Sequence, residues 1–437
     1  VDIGQLKQSI DTIFIVMLEN RSFDHVLGVR GGKVPPLTNP SSWDNRPFEP
    51  VVHRDAWIDT DLPHERARVR TSFEGGMRGF VKAYEEHIGA PSPADCPPMW
   101  LCDPVDLPVT TFLADQFCVC TRWHASLPCD TQPNRLMAMS GTTRIDVTDI
   151  NPVAGRWLPD QYTVLDWLVE KRGSSPFAVY VDGPFVPGIR YPTNFYLMKR
   201  LHPLLAGRTS GFSGLAADVA TWDPGAVNPA ARPPAVVYCE PFYNDLAVSL
   251  PVGEGHGNCN HPPLPMAYGE EFLRKVYEAV RSNPKVWARS LIVVTCDEHG
   301  GFFDHVPPPP MPFDPPEGAS WSTPFETLGV RVPTILISPW VAAGTSCDLL
   351  FDHTSLLQLI TERFGGPEDL VRFGHAPARK AAGVASVREA LANTPAPQRP
   401  SPAPSPPPVP VPSPGGPVRP PPSGNARLWG AHIGGFG

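Results

Sequence analysis

No apolar stretch in this sequence approaches the roughly 20 residues needed to span a bilayer. The longest, near Ile13 to Leu18 and Leu291 to Thr295, are strand-sized. A spanning helix is not expected, and peripheral contact is the most that a membrane is expected to make. Positive charge is also short: 36 Lys and Arg stand against 44 Asp and Glu, a formal charge of -8. That balance argues against a nucleic-acid partner, because phosphate-backbone binders concentrate basic residues on one face. The densest basic cluster, Arg66, Arg68 and Arg70, is too short to change this. The nine cysteines form no paired Cys-x-x-Cys framework of the zinc type, and their odd number leaves at least one without a disulfide partner. Cys118 and Cys120 share one face of an extended segment and read as buried thiols. Acidic residues are missing altogether from Thr394 onward, where Pro, Ser, Ala and Val dominate and Arg399, Arg419 and Arg427 carry the only charge.

What is present divides into a body, residues 1–393, and a Pro-rich tail, residues 394–437, expected to be polyproline-like or disordered. In the body, short β-branched runs alternate with helical patterns, the signature of an α/β fold with a mostly parallel sheet. The clearest runs are Thr12 to Leu18, Phe177 to Val181, Val236 to Cys239, Leu291 to Cys296 and Pro333 to Ser338. All read as buried strands. Tyr268 to Val280 and Ser355 to Phe364 place apolar residues at helical spacing and read as covering helices. Irregular stretches from about Val29 to Trp57 and Asp182 to Pro234 read as long loops or small insertions. Nothing in the pattern calls for an obligate protein partner.

Three elements put chemistry at strand or helix ends, where open α/β sheets bind ligands. One strand runs into Glu19-Asn20-Arg21-Ser22-Phe23-Asp24-His25, and another into Asp297-Glu298-His299-Gly300-Gly301-Phe302-Phe303-Asp304-His305. Carboxylates, an amide and imidazoles together suit a divalent cation, which neutralises a phosphoryl group. The third element, Pro128-Cys129-Asp130-Thr131-Gln132-Pro133-Asn134-Arg135, leads into a helix-like stretch with Thr131 just upstream of it. A hydroxyl there meets free backbone N–H groups and, beside a metal, becomes a nucleophile.

These motifs, with Asn260-His261-Pro262-Pro263 between them, resemble in content and order the bacterial phosphoesterase family that contains phospholipases C and acid phosphatases. The resemblance spans roughly Asp11 to Phe364 and implies an alkaline phosphatase-like, three-layer α/β sandwich with the catalytic domain at 1–393. It implies a hydrolase of phosphate esters of phospholipase C type, the alternatives being a phosphomonoesterase or an inactive anion-binding relic. It further implies a divalent metal, its identity open, on Glu19, Asn20, Asp297 and Glu298, and Thr131 as nucleophile. His261 and His64 correspond to active-site histidines. Asn134, Arg135, His299, Asp304 and His305 become substrate-binding candidates, and His202 is the candidate for a second histidine. The implied substrate is a phosphate ester, with a phospholipid within its range, and the implied location is secreted or extracytoplasmic.

Some readings compete. Asp24 fits a helix cap as well, Glu19 and Asn20 fit a strand-end turn, and Asp304 and His305 fit loop-orienting hydrogen bonds. Cys129-Asp130 stands where the family has Gly-Pro before the nucleophile, which opens the geometry of that loop. Trp100, Phe185, Val186 and Trp321 favour a bulky, lipid-like substrate. From composition alone, truncation after Asn393 is expected to leave the melting temperature almost unchanged.

Overall fold

A computed structural model describes residues 1–54, 58, 60–89, 96–150, 155–173, 176–183, 194–243, 257–396 and 403–406. Eight strands form the main sheet: β1 (Thr12–Leu18), β2 (Cys118–Cys120), β3 (Phe177–Val181), β4 (Thr209–Gly211), β5 (Val236–Glu240), β6 (Ser290–Cys296), β7 (Ile335–Ile337) and β8 (Thr345–Cys347). Their order is β8-β2-β7-β6-β1-β5-β3-β4. The central strands β1 and β6 are buried along their whole length, which is why their sequences are continuously apolar rather than alternating. All neighbours run parallel except at β7, which is antiparallel to both β6 and β2. The run at Pro333 to Ser338 is thus a strand but departs from the parallel rule. β4 escaped the sequence reading because Thr-Ser-Gly carries no apolar signal; it is an edge strand with no residue fully buried.

Alternation along β1 sorts the helices into two layers. Ile15 and Met17 face a space they share with Arg135, Ala138, Met139 and Leu356. These side chains belong to α1 (Thr131–Ser140) and α3 (Thr354–Phe364). Phe14, on the other face, meets Trp222 at 6.4 Å between ring centroids, beyond the C-terminus of the helix Leu215–Thr221. That helix packs with α2 (Met266–Arg281), so the sheet lies between helical layers as expected of an α/β sandwich. No helix among the described residues is long and apolar enough to cross a membrane.

The irregular stretch after Val29 is a small insertion of short ladders, Asn39–Pro40 against Pro47–Phe48 and Val51–His53 against Trp100–Cys102. Its second counterpart, from Asp182, holds β4 and the helix Leu215–Thr221, while residues 184–193 lie outside the described residues. No disulfide joins any of the nine cysteines, and all but Cys347 are buried. Burial raises the Cys120 thiol well above its ordinary range, which suits an inert core group.

The start of the tail is not detached. The Ala396 N–H donates to Pro339 O at 2.7 Å, and Ala403 is buried in the main core; the rest of the tail lies outside the described residues. These contacts lie beyond Asn393, so the compositional expectation for a cut there is replaced by a different one. Such a cut is expected to lower the melting temperature by about 2 °C in a calorimetric scan, whereas a cut after Pro406 leaves it unchanged.

Candidate functional site

β1 and β6 run in register and end together, so their carboxyl ends deliver Glu19-Asn20 and Asp297-Glu298 to one place. Asn20 turns the chain with a φ of 58°, a left-handed conformation that Asn tolerates better than other side chains. β6 ends at Cys296, so Asp297 and Glu298 have already left strand geometry and need not point to opposite faces. The turn beyond them requires glycine. A Cβ on Gly300 meets Asn20 O at 2.2 Å and one on Gly301 meets Pro63 O at 2.7 Å, both at positive φ. The two motifs and the Leu62-Pro63-His64 segment therefore pack backbone against backbone.

Thr131 is the first residue of α1 rather than upstream of it, with Asp130 as N-cap residue. Its hydroxyl is buried and has no hydrogen-bond partner among the described residues. The loop before it, in question because Cys129-Asp130 replaces Gly-Pro, is held by Asn134. The Asn134 Oδ1 accepts from Leu127 N at 2.9 Å, and Nδ2 reaches Leu127 O, Cys129 O and Asp130 O at 3.0–3.1 Å. Asn134, expected to touch substrate, spends its hydrogen bonds on shaping the loop before Thr131.

Arg135 is also turned inward. Its Nε donates to Asp297 Oδ2 at 3.0 Å and Nη2 lies 3.4 Å from Glu19 Oε1, both pairs buried. Nη1 donates to Tyr243 Oη at 3.1 Å, and Tyr243 donates to Glu240 Oε2 at 2.8 Å. Burial disfavours the guanidinium charge, but Tyr243, Asp297, Glu19 and Glu240 outweigh it and hold Arg135 charged.

The histidines come together around a residue that sequence reasoning missed. Asp61 Oδ1 lies 3.8 Å from His64 Nδ1 and 3.7 Å from His261 Nε2, and the ring centroids are 5.9 Å apart. His64 Nδ1 faces Leu62 O at 2.6 Å and Nε2 faces the Asn20 amide nitrogen at 3.3 Å. His261 Nδ1 is committed to Pro262 O. The signal for Asp61 was present: Asp61-Leu62-Pro63-His64 puts a carboxylate three residues from a candidate histidine. His299 lies against Glu298, 3.3 Å from Nδ1 to Oε2, and burial lowers it to about 3, so it is neutral. His202 stacks on Tyr196 at 3.8 Å and bonds Tyr196 O, a packing role.

Asp304 and His305 form a separate clasp with Asp24 and Arg331. Arg331 Nη2 meets Asp24 Oδ1 and Nε meets Asp304 Oδ1, each at 3.0 Å, while Asp24 Oδ2 accepts from His305 N and faces its Nδ1. The loop-orienting alternative is the one this geometry supports, and Asp24 is no helix cap; Ser22 takes that position. Trp100, half-buried, stacks on His53 at 3.7 Å, and Trp321, buried, packs on Phe313 and Phe325. Phe185 and Val186 lie outside the described residues.

Negative charge exceeds the protein's own compensation at this centre. Burial pushes Glu298 upward and carries Asp130 to about 7. Burial by itself lowers His64, but Glu298, Asp61, Glu65 and Asp130 raise it to about 10. Buried oxygens without partners among the described residues are Asn20 Oδ1, Glu298 Oε1, Asp130 Oδ1 and Thr131 Oγ1. Hard oxygen donors in a cluster whose buried carboxylates outnumber the charged Arg135 and His64 fit a divalent ion. Two trios of described side chains bring ligand atoms within 4.8 Å of one another, Asp61-His64-His261 and Asp24-Asp304-His305. Arg331 already neutralises the second. The expected Glu19, Asp297 and Glu298 are not such a trio, because Arg135 stands between Glu19 and Asp297.

The phosphoesterase family model matches residues 10–367. The chain belongs to the phosphoesterase family. Among its relatives is non-specific phospholipase C6 of Arabidopsis thaliana, 31% identical over 78% of this chain and 64% of that protein. Another is the non-hemolytic phospholipase C of Burkholderia pseudomallei, 28% identical over 82% of this chain and 55% of that protein. The chain thus spans less than two thirds of the length of either phosphoesterase. A protein of the alkaline phosphatase superfamily from Vibrio parahaemolyticus aligns over 76% of this chain and 72% of its own at 12% identity, with a TM-score of 0.33.

The clasp makes a stability prediction. Arg331→Met leaves two buried carboxylates facing each other and is expected to lower the unfolding free energy by about 3–5 kcal/mol. Urea denaturation checks this, and Arg331→Met combined with Asp304→Asn should recover part of the loss.

Proposed function

We propose that this chain hydrolyses phosphate esters in the manner of a phospholipase C, with Thr131 as nucleophile and a phospholipid diester as substrate class. The observation that carries the reading is the Thr131 hydroxyl: buried and unpartnered at the first turn of a ten-residue helix, in the same centre as the unpartnered oxygens of Asn20 and Glu298. Membership of the phosphoesterase family and the phospholipase C names of the relatives support it.

Glu19, Asn20, Asp297 and Glu298 are the residues proposed to hold a divalent cation, with Asp130 beside them. When bound, that ion supplies polarisation of the Thr131 hydroxyl and of a phosphoryl oxygen. The chain supplies the rest. The N-terminal end of α1 turns the positive end of its dipole to the phosphoryl oxygens. Thr131 gives up its hydroxyl proton to water as Oγ1 forms its bond to phosphorus and the bond to the departing alcohol breaks. His261, beside Asp61, gives a proton to that alcohol oxygen. Water then attacks phosphorus and breaks its bond to Thr131; His261 takes a proton from the attacking water, and Thr131 Oγ1 regains its proton from solvent. Leu62 O fixes the His64 ring, whose Nε2 lies 3.3 Å from the side-chain amide of Asn20.

Thr131→Ala is expected to abolish turnover with the fold intact, while Thr131→Ser keeps substantial activity; near-normal kcat in the alanine variant removes the nucleophile assignment. Turnover of p-nitrophenyl phosphorylcholine should exceed that of p-nitrophenyl phosphate, and chelator should stop both until a divalent ion is returned. A preference for the monoester moves the reading to an acid phosphatase. Absence of multiple turnover on either makes the chain an anion-binding relic.

A further inference from the structure

Arg135 was expected to bind substrate, but its fork is used up inside the protein. Nε is on Asp297 and Nη2 faces Glu19 and the carbonyls of Met17 and Leu18, the last residues of β1. The third nitrogen, Nη1, is on Tyr243, and the guanidinium also lies 5.1 Å from the centre of that ring. Tyr243 in turn binds Glu240, the residue that closes β5. One guanidinium therefore gathers the carboxyl ends of β1, β5 and β6, and does so from the nucleophile's own helix, one turn beyond Thr131.

We infer that Arg135, backed by Tyr243 and Glu240, is a positioning residue for cation binding: it holds one oxygen of Glu19 and one of Asp297, whose other oxygen accepts from the N–H groups of Asn20 and Glu298, so that the ends of both strands meet the ion in one fixed arrangement. The inference rests on the proposed cation site and deepens it. Two carboxylates buried near each other repel, or take up a proton that an incoming ion must displace. A planar fork that engages both at once prevents either outcome, and a lysine cannot reproduce it, because a single ammonium is a point charge without paired, fixed donors. Tyr243 holds the far side of the fork, so its hydroxyl acts on the cation site without touching it. None of the sequence motifs contains Tyr243 or Glu240.

The test is calorimetric titration of chelator-stripped, full-length protein with Mn2+, for wild type, Arg135→Met, Arg135→Lys and Tyr243→Phe, with thermal melts beside it. Loss of such outer partners typically weakens metal binding ~10- to 100-fold, and Arg135→Met should fall in that range with Arg135→Lys between it and wild type. Tyr243→Phe, which keeps the ring and loses only the hydroxyl, should weaken Mn2+ by about 3- to 10-fold, at the mild end of that scale. Should Arg135→Met fail to fold, Tyr243→Phe and Arg135→Lys decide. Wild-type affinity in the folded variants overturns the inference while leaving the cation reading in place. No Mn2+ binding by wild type overturns the cation reading itself.

Discussion

The buried ion pairs of Arg135 with Glu19 and Asp297 are the interaction on which the candidate site depends. Two parallel strands that end in carboxylates side by side create a local excess of negative charge in a medium that screens it poorly. A buried ion pair seldom adds net stability over a hydrophobic replacement, but removing one partner is expensive. Arg135 therefore makes this end of the sheet viable rather than strong. Because it comes from α1, the same bond ties the helix of the proposed nucleophile to the strands that carry the proposed ligands.

A second constraint sits beside it. The approach of Gly300 and Gly301 to Asn20, Leu62 and Pro63 leaves no room for a side chain. Asp24 and Arg331 secure the same two motifs from the far side through Asp304. The late motif is thus fixed at three points: by Arg135 at Asp297, by backbone contact at the glycines and by Arg331 at Asp304. Residues that looked like a row of substrate ligands are mostly members of this frame, which holds the few free oxygens in place.

That division explains how much was legible in the sequence. The central strands and covering helices were readable because burial on both faces or one stripe leaves a periodic apolar trace, as in Ile13 to Leu18 and Tyr268 to Val280. β4 and the reversed direction of β7 were not, since Thr-Ser-Gly has no such trace and strand direction depends on connections. At the site, the carboxylates and amide expected at strand ends do stand together there, and Glu240 carries the same strand-end signal as Glu19 although no motif marks it. What a lone sequence does not distinguish is a side chain facing a ligand from one facing its neighbours. Asn134 and Asp304 are polar, buried and adjacent to the motifs in either case, and only their hydrogen-bond partners decide.

The same geometry bears on why a threonine stands at the first turn of α1. A buried hydroxyl without a partner is costly, by roughly 1–3 kcal/mol on typical scales. Asn134 already donates to the loop carbonyls of Leu127, Cys129 and Asp130. A partner from outside the chain would offset the cost. The unpartnered oxygens of Glu298, Asn20 and Asp130 suit a cation with an anionic substrate as that partner. The pre-nucleophile loop, different in sequence from the Gly-Pro of the family resemblance, reaches that arrangement by using an amide side chain where a constrained backbone would otherwise serve.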